Sequence, residues 1–507
     1  MSVDTPAWVR DAIFYQIFPD RFASSERVHK PGVLEPWDAP PTNHGFKGGD
    51  LRGIAERLDY LEDLGISAIY LTPIFSSASN HRYHTYDYFE VDPLLGGDDA
   101  LRELLEAAHG RGMRVVLDGV FNHTGRGFFP FHHVLETGAA SPYRHWFHTD
   151  ARLDAGRPLL AYPPLGTPPT EFGYKAWWGL PALPKLNTDN PEVREYLMTV
   201  AEYWLRFGID GWRLDVPAEI DDEPFWQEFR RRCRAIRPDA YLVGEIWRIA
   251  PEWLRGDRFD ALMNYPLGEA VLGFAGVTNL DMTIVSTHHE YRLWVRPLDG
   301  PGFADRVMEL NQVYDPDVVA VQLNVLGSHD APRLRTVFGG DARSALLAML
   351  LQSTLPGAPS IYYGDEVGLA GSHDPDCRRG FPWDEGRWEP GLRDSVRALL
   401  HLRRAERALL HLRRAERGLR HGRLRVAAAT GSAVAFERGE GESHFIVAVN
   451  PGDVPARLDI RLERPDNGGN FEPLELPGLG DITAGPLEDG RATLELPAQS
   501  GSVLRIH

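Results

Sequence analysis

The chain is poor in cysteine: 507 residues carry only Cys233 and Cys377. Two thiols cannot build a disulfide framework, so plain thiols are expected. No apolar run is long enough to cross a bilayer. The opening stretch, "MSVDTPAWVRDAIFYQIF", has no basic segment followed by an apolar one, so no secretory signal is expected. Positive charge is in deficit: 54 Lys and Arg face 72 Asp and Glu, a formal net charge of -18. That excess of anions argues against nucleic acid or an anionic membrane as partner. These shortages together point to a soluble, cytoplasmic protein. What is present is ordinary globular composition, 43% hydrophobic, in a chain too long for one core. Two or three domains are expected.

Eight apolar β-type runs alternate with helical patterns. They are 12–20 ("AIFYQIFPD"), 67–73, 114–120, 209–216 ("IDGWRLDV"), 241–247, 259–265, 321–330 and 359–366. Amphipathic stretches such as 51–65, 100–112 and 190–208 lie between them. Near-continuous apolar strands interleaved with helices suggest an α/β fold with a parallel sheet, either a (β/α)8 TIM barrel or an open doubly wound sheet. Polar residues decide for the barrel. Asp118, Asn122 and His123 follow the third run, Asp215 the fourth, Glu245 the fifth, and His329 and Asp330 the seventh. A single Asp at a strand end often only caps a turn. A barrel brings all of them to one mouth, the face that carries active sites.

In "GWRLDV" (211–216), Arg213 and Asp215 stand two positions apart, so a strand points both to one side. Inside a barrel a lone carboxyl takes up a proton, whereas a neighbouring guanidinium holds it ionised. An ionised Asp in a pocket can be a nucleophile. Glu245, flanked by Val243, Ile246 and Trp247, is expected to keep its proton and act as an acid. One bare and one protonated carboxyl form the equipment of a glycosidase. Retention requires them about 5–5.5 Å apart, close to the spacing of neighbouring strands.

With those residues in place, the chain resembles the α-amylase family of glycoside hydrolases. "DGVFNH" (118–123), "GWRLDVPAE" (211–219), "VGEIW" (243–247) and "LGSHD" (326–330) match its four best-known segments in order. The stretches 48–75 and 361–369 match the flanking ones. The resemblance implies that Asp215 is the nucleophile, Glu245 the general acid/base and Asp330 the transition-state stabiliser. It implies that Tyr83, His123, Arg213, Glu219, Trp247, His329 and Arg333 bind substrate, with Tyr83 as a platform under the attacked sugar. Asp118 reads as a structural partner. No cofactor is required. The substrate is then an α-glucan oligosaccharide or cyclodextrin. A glucan transferase or isomerase on the same barrel stays open as an alternative. A non-catalytic scaffold ranks last, because Asp215, Glu245 and Asp330 are all present.

Residues 121–186, long and rich in Pro, Gly and aromatics, resemble the family's small inserted domain, between barrel parts 1–120 and 187–420. Its Trp146, Trp177 and Trp178 serve either as sugar platforms or as a local core. "LPKLN" (183–187) is similar to the motif of the cyclomaltodextrinase, neopullulanase and maltogenic amylase group. Members of that group usually carry an amino-terminal β-domain used in dimer formation, whereas here the barrel begins near residue 12, leaving the oligomer open. Ordinary α-amylases place a calcium ligand where Asn187 ends "LPKLN" and a Lys-His pair where this chain has Ala218-Glu219, and another calcium loop of relatives follows "DRFA" with an Asn-Gly-Asp pattern where "DRFASSERVH" offers only Glu26. The central calcium site therefore reads as dismantled despite Asn122, Asp50 as lacking partners, and no metal as required.

From 421 to 507 short alternating strands with Gly, Pro and Asp turns read as a small antiparallel β-sandwich. Before it, "ALLHLRRAER" occurs twice in tandem, at 398–407 and 408–417. Ten residues turn a helix through about 1000°, leaving the second apolar stripe roughly 80° out of register. One copy suffices for the last barrel helix. Deleting one copy should leave glucan-cleaving activity intact; a variant that no longer folds would overturn this reading.

Overall fold

The structure is a computed structural model, and it describes residues 3–408, 418–440, 443–463 and 470–507. Its centre is a parallel sheet of β1 (Phe14–Ile17), β2 (Ala68–Leu71), β3 (Arg114–Gly119), β4 (Gly211–Leu214), β5 (Tyr241–Gly244), β6 (Ala261–Leu262), β7 (Leu323–Val325) and β8 (Ala358–Tyr362). Neighbours run β6-β5-β4-β3-β2-β1-β8-β7, and a parallel bridge between Met263 and Leu323 joins the two ends. The sheet is thus closed, the (β/α)8 barrel expected of eight such runs.

Alternation along each strand sorts the side chains. Phe14, Tyr70, Val116, Tyr241, Val243 and Met263 fill the interior. Tyr15, Ile69, Leu71, Leu117, Trp212, Leu214 and Leu242 face the helices. Period-two geometry therefore turns Gln16, Asp118 and Arg213 inward, one layer above the apolar plug. Close strand approach demands glycine at the foot of β4: a Cβ on Gly211 would lie 2.2 Å from the Tyr241 carbonyl oxygen.

The helix Pro191–Phe207 shows how the sequence delivers β4 to its place. Asn190 accepts a hydrogen bond from the Glu192 amide at 2.9 Å, Pro191 opens the first turn, and Gly208 ends the helix at φ +130. Its inner face buries Val193, Leu197, Met198, Val200, Ala201, Trp204 and Leu205. The stretch 51–65, by contrast, is not one helix but two, Leu51–Ala55 and Leu58–Leu64.

After β3 the chain leaves the barrel, and short bridges such as Phe147 to Leu186 and Ala176 to Pro184 tie the excursion together. Trp146 belongs to a local core here: it is buried against Tyr143 and Tyr196 and donates to Glu192. Beyond the barrel, strands β9 (Leu424–Thr430), β10 (Ala433–Glu440), β11 (Ser443–Asn450), β12 (Ala456–Arg461), β13 (Phe471–Pro473), β14 (Thr483–Ala484), β15 (Arg491–Leu496) and β16 (Ser500–Ile506) form two antiparallel sheets. Ala435, Ile446, Leu458, Ile460, Leu494 and Leu504 make the core between them. Both cysteines are buried and free.

The first repeat copy lies in the helix Leu392–Ala408. Its Leu399, Leu400 and Arg403 are buried, and Arg403 donates to the carbonyls of Ser353 and Gly357. Residues 409–417 of the second copy lie outside the described residues.

Two lysines stand where the resemblance would allot calcium. Asp50 does not lack partners, contrary to expectation. Its carboxylate is fully buried, accepts the Ser25 and Gly53 amides at 2.9 and 2.7 Å, and pairs with the Lys30 ammonium at 2.9 Å. Lys30 also donates to the Leu94 carbonyl at 2.9 Å. At the second position the Lys185 ammonium donates to the Glu219 carbonyl at 2.6 Å, while Asn187 presents its amide nitrogen to the His145 carbonyl. Asn122 Oδ1 has no hydrogen-bond partner among the described residues. One orphan oxygen beside an ammonium and an amide donor is no cradle for a hard dication, which takes six to eight oxygens. Exhaustive dialysis against EDTA should leave Tm and activity unchanged. Lys30→Gln should cost about 1–3 kcal/mol in chemical denaturation, because buried Asp50 keeps only neutral donors. A Tm that falls on chelation would contradict this assignment.

Candidate active site

Arg213 is the hub of the cup at the carboxyl ends of the strands. It is fully buried, and its Nη1 lies 2.8 and 2.9 Å from the two oxygens of Asp118 and 2.9 Å from Asp215 Oδ1. Its Nη2 makes an ion-pair contact with Glu245 Oε2 at 2.8 Å. Asp118 also accepts the hydroxyls of Tyr70 at 2.6 Å and Tyr83 at 2.9 Å. Its oxygens are thus committed to the protein.

Above β4 the backbone takes an unusual turn. Val216 has φ +36 and ψ +51, a left-handed conformation that a β-branched residue rarely adopts. The turn aims the Val216 amide at Glu245 Oε2, 3.1 Å away. Trp247 donates to Glu245 Oε1 at 3.2 Å and lies flat on Tyr265, ring centroids 3.4 Å apart. Glu245 therefore sits among donors and not, as its flanking residues suggested, in an apolar slot. Asp215 differs: Oδ1 is held by Arg213, while buried Oδ2 has no hydrogen-bond partner among the described residues.

Asp330 comes from beyond β7. Its Oδ2 lies 3.1 Å from His329 Nε2 and its Oδ1 accepts from Arg378 Nη2 at 3.1 Å. Gln16 Nε2 lies 2.9 Å from His329 Nδ1, so the amide donates there and the ring hydrogen stays on Nε2. That hydrogen faces the Tyr83 hydroxyl at 2.6 Å and Asp330, and the Tyr83 ring stacks on His329 with centroids 5.3 Å apart. His123 is fully buried, packs flat on Trp177, and has an Nε2 without a hydrogen-bond partner among the described residues.

The electrostatics follow from four carboxyls sharing two guanidinium groups. Burial pushes Asp215 well up; Arg213 pulls it back, and Glu245 and Asp118 push it further up. Burial likewise raises Glu245 and Asp118 against the pull of Arg213. The sequence argument assigned the bare charge to Asp215 and the proton to Glu245. In the free chain burial outweighs Arg213 at both, because that one guanidinium is divided among three acids. Asp330 goes the other way: burial raises it, but His329, Arg378 and Arg213 together hold it below the usual carboxylate range. Burial lowers both His329 and His123 to about 3, so each ring is neutral at ordinary pH.

The cup thus gathers Asp215, Glu245, Asp330, Tyr83, His123, Arg213, His329 and Trp247. Glu219 stands at its edge, half-exposed, with Lys185 3.6 Å away. Arg333 is a correction. It is fully buried, donates to the carbonyls of Cys377 and Tyr363, and pairs with Asp365 at 3.2 Å. Burial raises Asp365 to about 7 against the pull of this guanidinium. Arg333 therefore braces the loops after β7 and β8 from behind and does not face the cup. Sequence reasoning missed Arg378, which holds the His329 carbonyl at 2.8 Å as well as Asp330. Nothing in "DCRRGFPW" separates it from Arg379, which pairs with Asp376 instead.

Comparison with known proteins places this cup in a family. A family model described as "Alpha amylase, catalytic domain" matches residues 16–407. The chain is 47% identical over 401 residues to a cyclomaltodextrinase of Geobacillus thermopakistaniensis, a match covering 79% of this chain and 63% of that protein. It therefore spans less than two-thirds of that relative's length. Among solved structures it is similar to a debranching enzyme from Nostoc punctiforme, at 46% identity and a TM-score of 0.85 over 100% of both chains. It is also similar to a cyclic α-maltosyl-(1→6)-maltose hydrolase from Arthrobacter globiformis, at 35% identity and a TM-score of 0.82 over 100% of both chains. Sequence motifs, barrel and relatives agree, and the chain belongs to the α-amylase family.

Proposed function

We propose that the chain is a cytoplasmic, retaining hydrolase of α-1,4-glucosidic bonds in cyclodextrins, maltooligosaccharides, pullulan or starch. The observation that carries this reading is the asymmetry of Asp215, one oxygen anchored to Arg213 and the other without a protein partner. Parallel pairing sets Leu214 beside Gly244, so Asp215 and Glu245 leave neighbouring strands side by side. Neighbouring strands lie about 4.8 Å apart, near the separation retention requires. Relatives named for debranching and for a 1→6-linked cyclic maltoside bring α-1,6 bonds into the same proposal.

In the first step Asp215, reacting as the carboxylate that the Arg213 guanidinium favours, attacks the anomeric carbon through Oδ2 while Glu245 gives its proton to the glycosidic oxygen. The C–O bond to the leaving sugar breaks and a β-glycosyl ester forms. Water then attacks the same carbon, passes its proton to Glu245 and frees Asp215, which restores the α configuration. Asp330, held charged, and the neutral His329 and His123 would bind sugar hydroxyls most tightly in the flattened transition state. A sugar hydroxyl replacing water in the second step gives transfer instead of hydrolysis.

Asp215→Asn should lower kcat/KM on maltotriose by about 1,000-fold or more, and Glu245→Gln by about 100- to 10,000-fold. Proton NMR of early product should show the α-anomer; a β-anomer released first would refute retention. Both acids bind protons more tightly folded than unfolded, so they favour the fold at low pH and lose that contribution as pH rises. Asp215→Asn should therefore raise Tm at neutral pH, and the gap should close toward pH about 4, where the free carboxyl is protonated.

A further inference from the structure

Gln16 is a buried polar side chain beneath the cup that the proposed displacement does not use. It comes from β1, in register between Tyr70 of β2 and Tyr362 of β8, and its amide nitrogen lies 2.9 Å from His329 Nδ1.

The direction of that contact is fixed from the far end of the network. Asp118 has both oxygens on Arg213 and takes the single hydrogen of the Tyr83 hydroxyl at 2.9 Å. The Tyr83 oxygen is then an acceptor, and its neighbour at 2.6 Å is His329 Nε2. Asp330 Oδ2, 3.1 Å from the same nitrogen, belongs to a carboxyl held charged, which only accepts. Nε2 therefore carries a hydrogen. Burial, with Arg378 and Arg213, keeps the ring from taking a second one against the pull of Asp330. Nδ1 is left bare, and the Gln16 amide is the donor it faces.

The rest of His329 is fixed by other groups. Its carbonyl accepts from Arg378 Nε at 2.8 Å and from the Cys377 thiol at 3.2 Å, and its ring lies within 9° of the Tyr83 plane. A half-turn of the ring would exchange both nitrogens for carbons and leave that plane unchanged. The contacts at the two nitrogens oppose it, Gln16 on one edge and Tyr83 with Asp330 on the other. Neutrality matters as well as direction. The attacked sugar gains positive charge as its bond to the leaving group breaks, so an uncharged donor grips its hydroxyls without opposing that charge.

We propose that Gln16 is a positioning residue: through Nδ1 it keeps the His329 ring neutral and in one orientation, and so aims its sole ring hydrogen from Nε2 into the cup. This deepens the proposed hydrolysis and rests on it only for the effect on rate, since the hydrogen can be located without turnover.

The test uses the full chain with isotope-labelled histidine ring nitrogens, His329 being the signal pair lost in His329→Gln. Proton–nitrogen correlation spectra at neutral pH should show a hydrogen on Nε2 and none on Nδ1; any other pattern overturns the proposal. Gln16→Glu replaces the donor by an acceptor of the same shape, so both ring nitrogens should carry hydrogens and kcat on maltotriose should fall. A bare Nδ1 or an unchanged kcat in that variant overturns the proposal. Gln16→Met keeps the bulk without a charge and decides the matter where Gln16→Glu does not fold. It should lower kcat about 10- to 100-fold with KM changed far less, as removing the partner that orients a ligating imidazole does. An unchanged kcat, or a loss carried by KM alone, overturns the proposal. A wild-type chain that does not cleave maltotriose refutes the hydrolase reading instead, and the spectra of wild type and Gln16→Glu still decide where the hydrogen lies.

Discussion

The active site depends on a single cation in a dry interior. Arg213 rises from an apolar barrel layer of Phe14, Val116, Tyr241 and Val243 and meets Asp118, Asp215 and Glu245 at once. A buried acid with no partner would be neutral, and one with its own guanidinium would be permanently charged. Dividing one guanidinium among three acids gives neither extreme. Asp118, with two tyrosine hydroxyls as well, holds Arg213 in place. Asp215 and Glu245 are both pushed up by burial and pulled back by the same guanidinium. Such opposition suits the proposed two-step displacement, in which Glu245 would act as acid and then as base.

Backbone strain completes what charge begins. The left-handed Val216 directs its amide to Glu245 and lets the chain leave the strand just after Asp215. Arg82 is also left-handed, φ +59, and is locked by a buried pair with Asp92 at 2.8 Å. It directly precedes Tyr83, whose hydroxyl sits between Asp118 and His329. Strained residues beside both Asp215 and Tyr83 fit the tendency of strain to collect where geometry matters more than stability.

Much of this was legible in the sequence, for definite reasons. Strand alternation put Arg213 and Asp215 on one face, and runs of apolar residues ending in Asp, Glu or His marked the strand ends. Local pattern carries that much. Pattern does not carry how a charge is shared across strands, so Glu245 read as an acid in an apolar slot when two hydrogen-bond donors and a guanidinium surround it. Nor does it tell which member of an arginine pair faces inward: Arg378 reaches Asp330 while Arg379 turns to Asp376. Arg333, near the same motif, braces the loops from behind. The tryptophans of the inserted segment were undecidable for a similar reason. Trp146 and Trp178 differ in backbone conformation and burial, neither of which composition encodes.

The lysines connect these parts. Lys185 bridges the inserted segment to the turn after β4, and the backbone pairs His123 with Lys185 on the other side. One residue thus ties the inserted segment, the cup's His123 and the turn that carries Glu219. A calcium ion tying such parts would be lost and regained with its concentration, whereas a lysine is bound to the chain and fixes the geometry at every concentration of metal. It is also a directional donor where a dication is not, so the Glu219 carbonyl is held while its carboxylate stays half-exposed. The same ammonium therefore holds the turn after β4 twice, through the Glu219 carbonyl at 2.6 Å and its carboxylate at 3.6 Å.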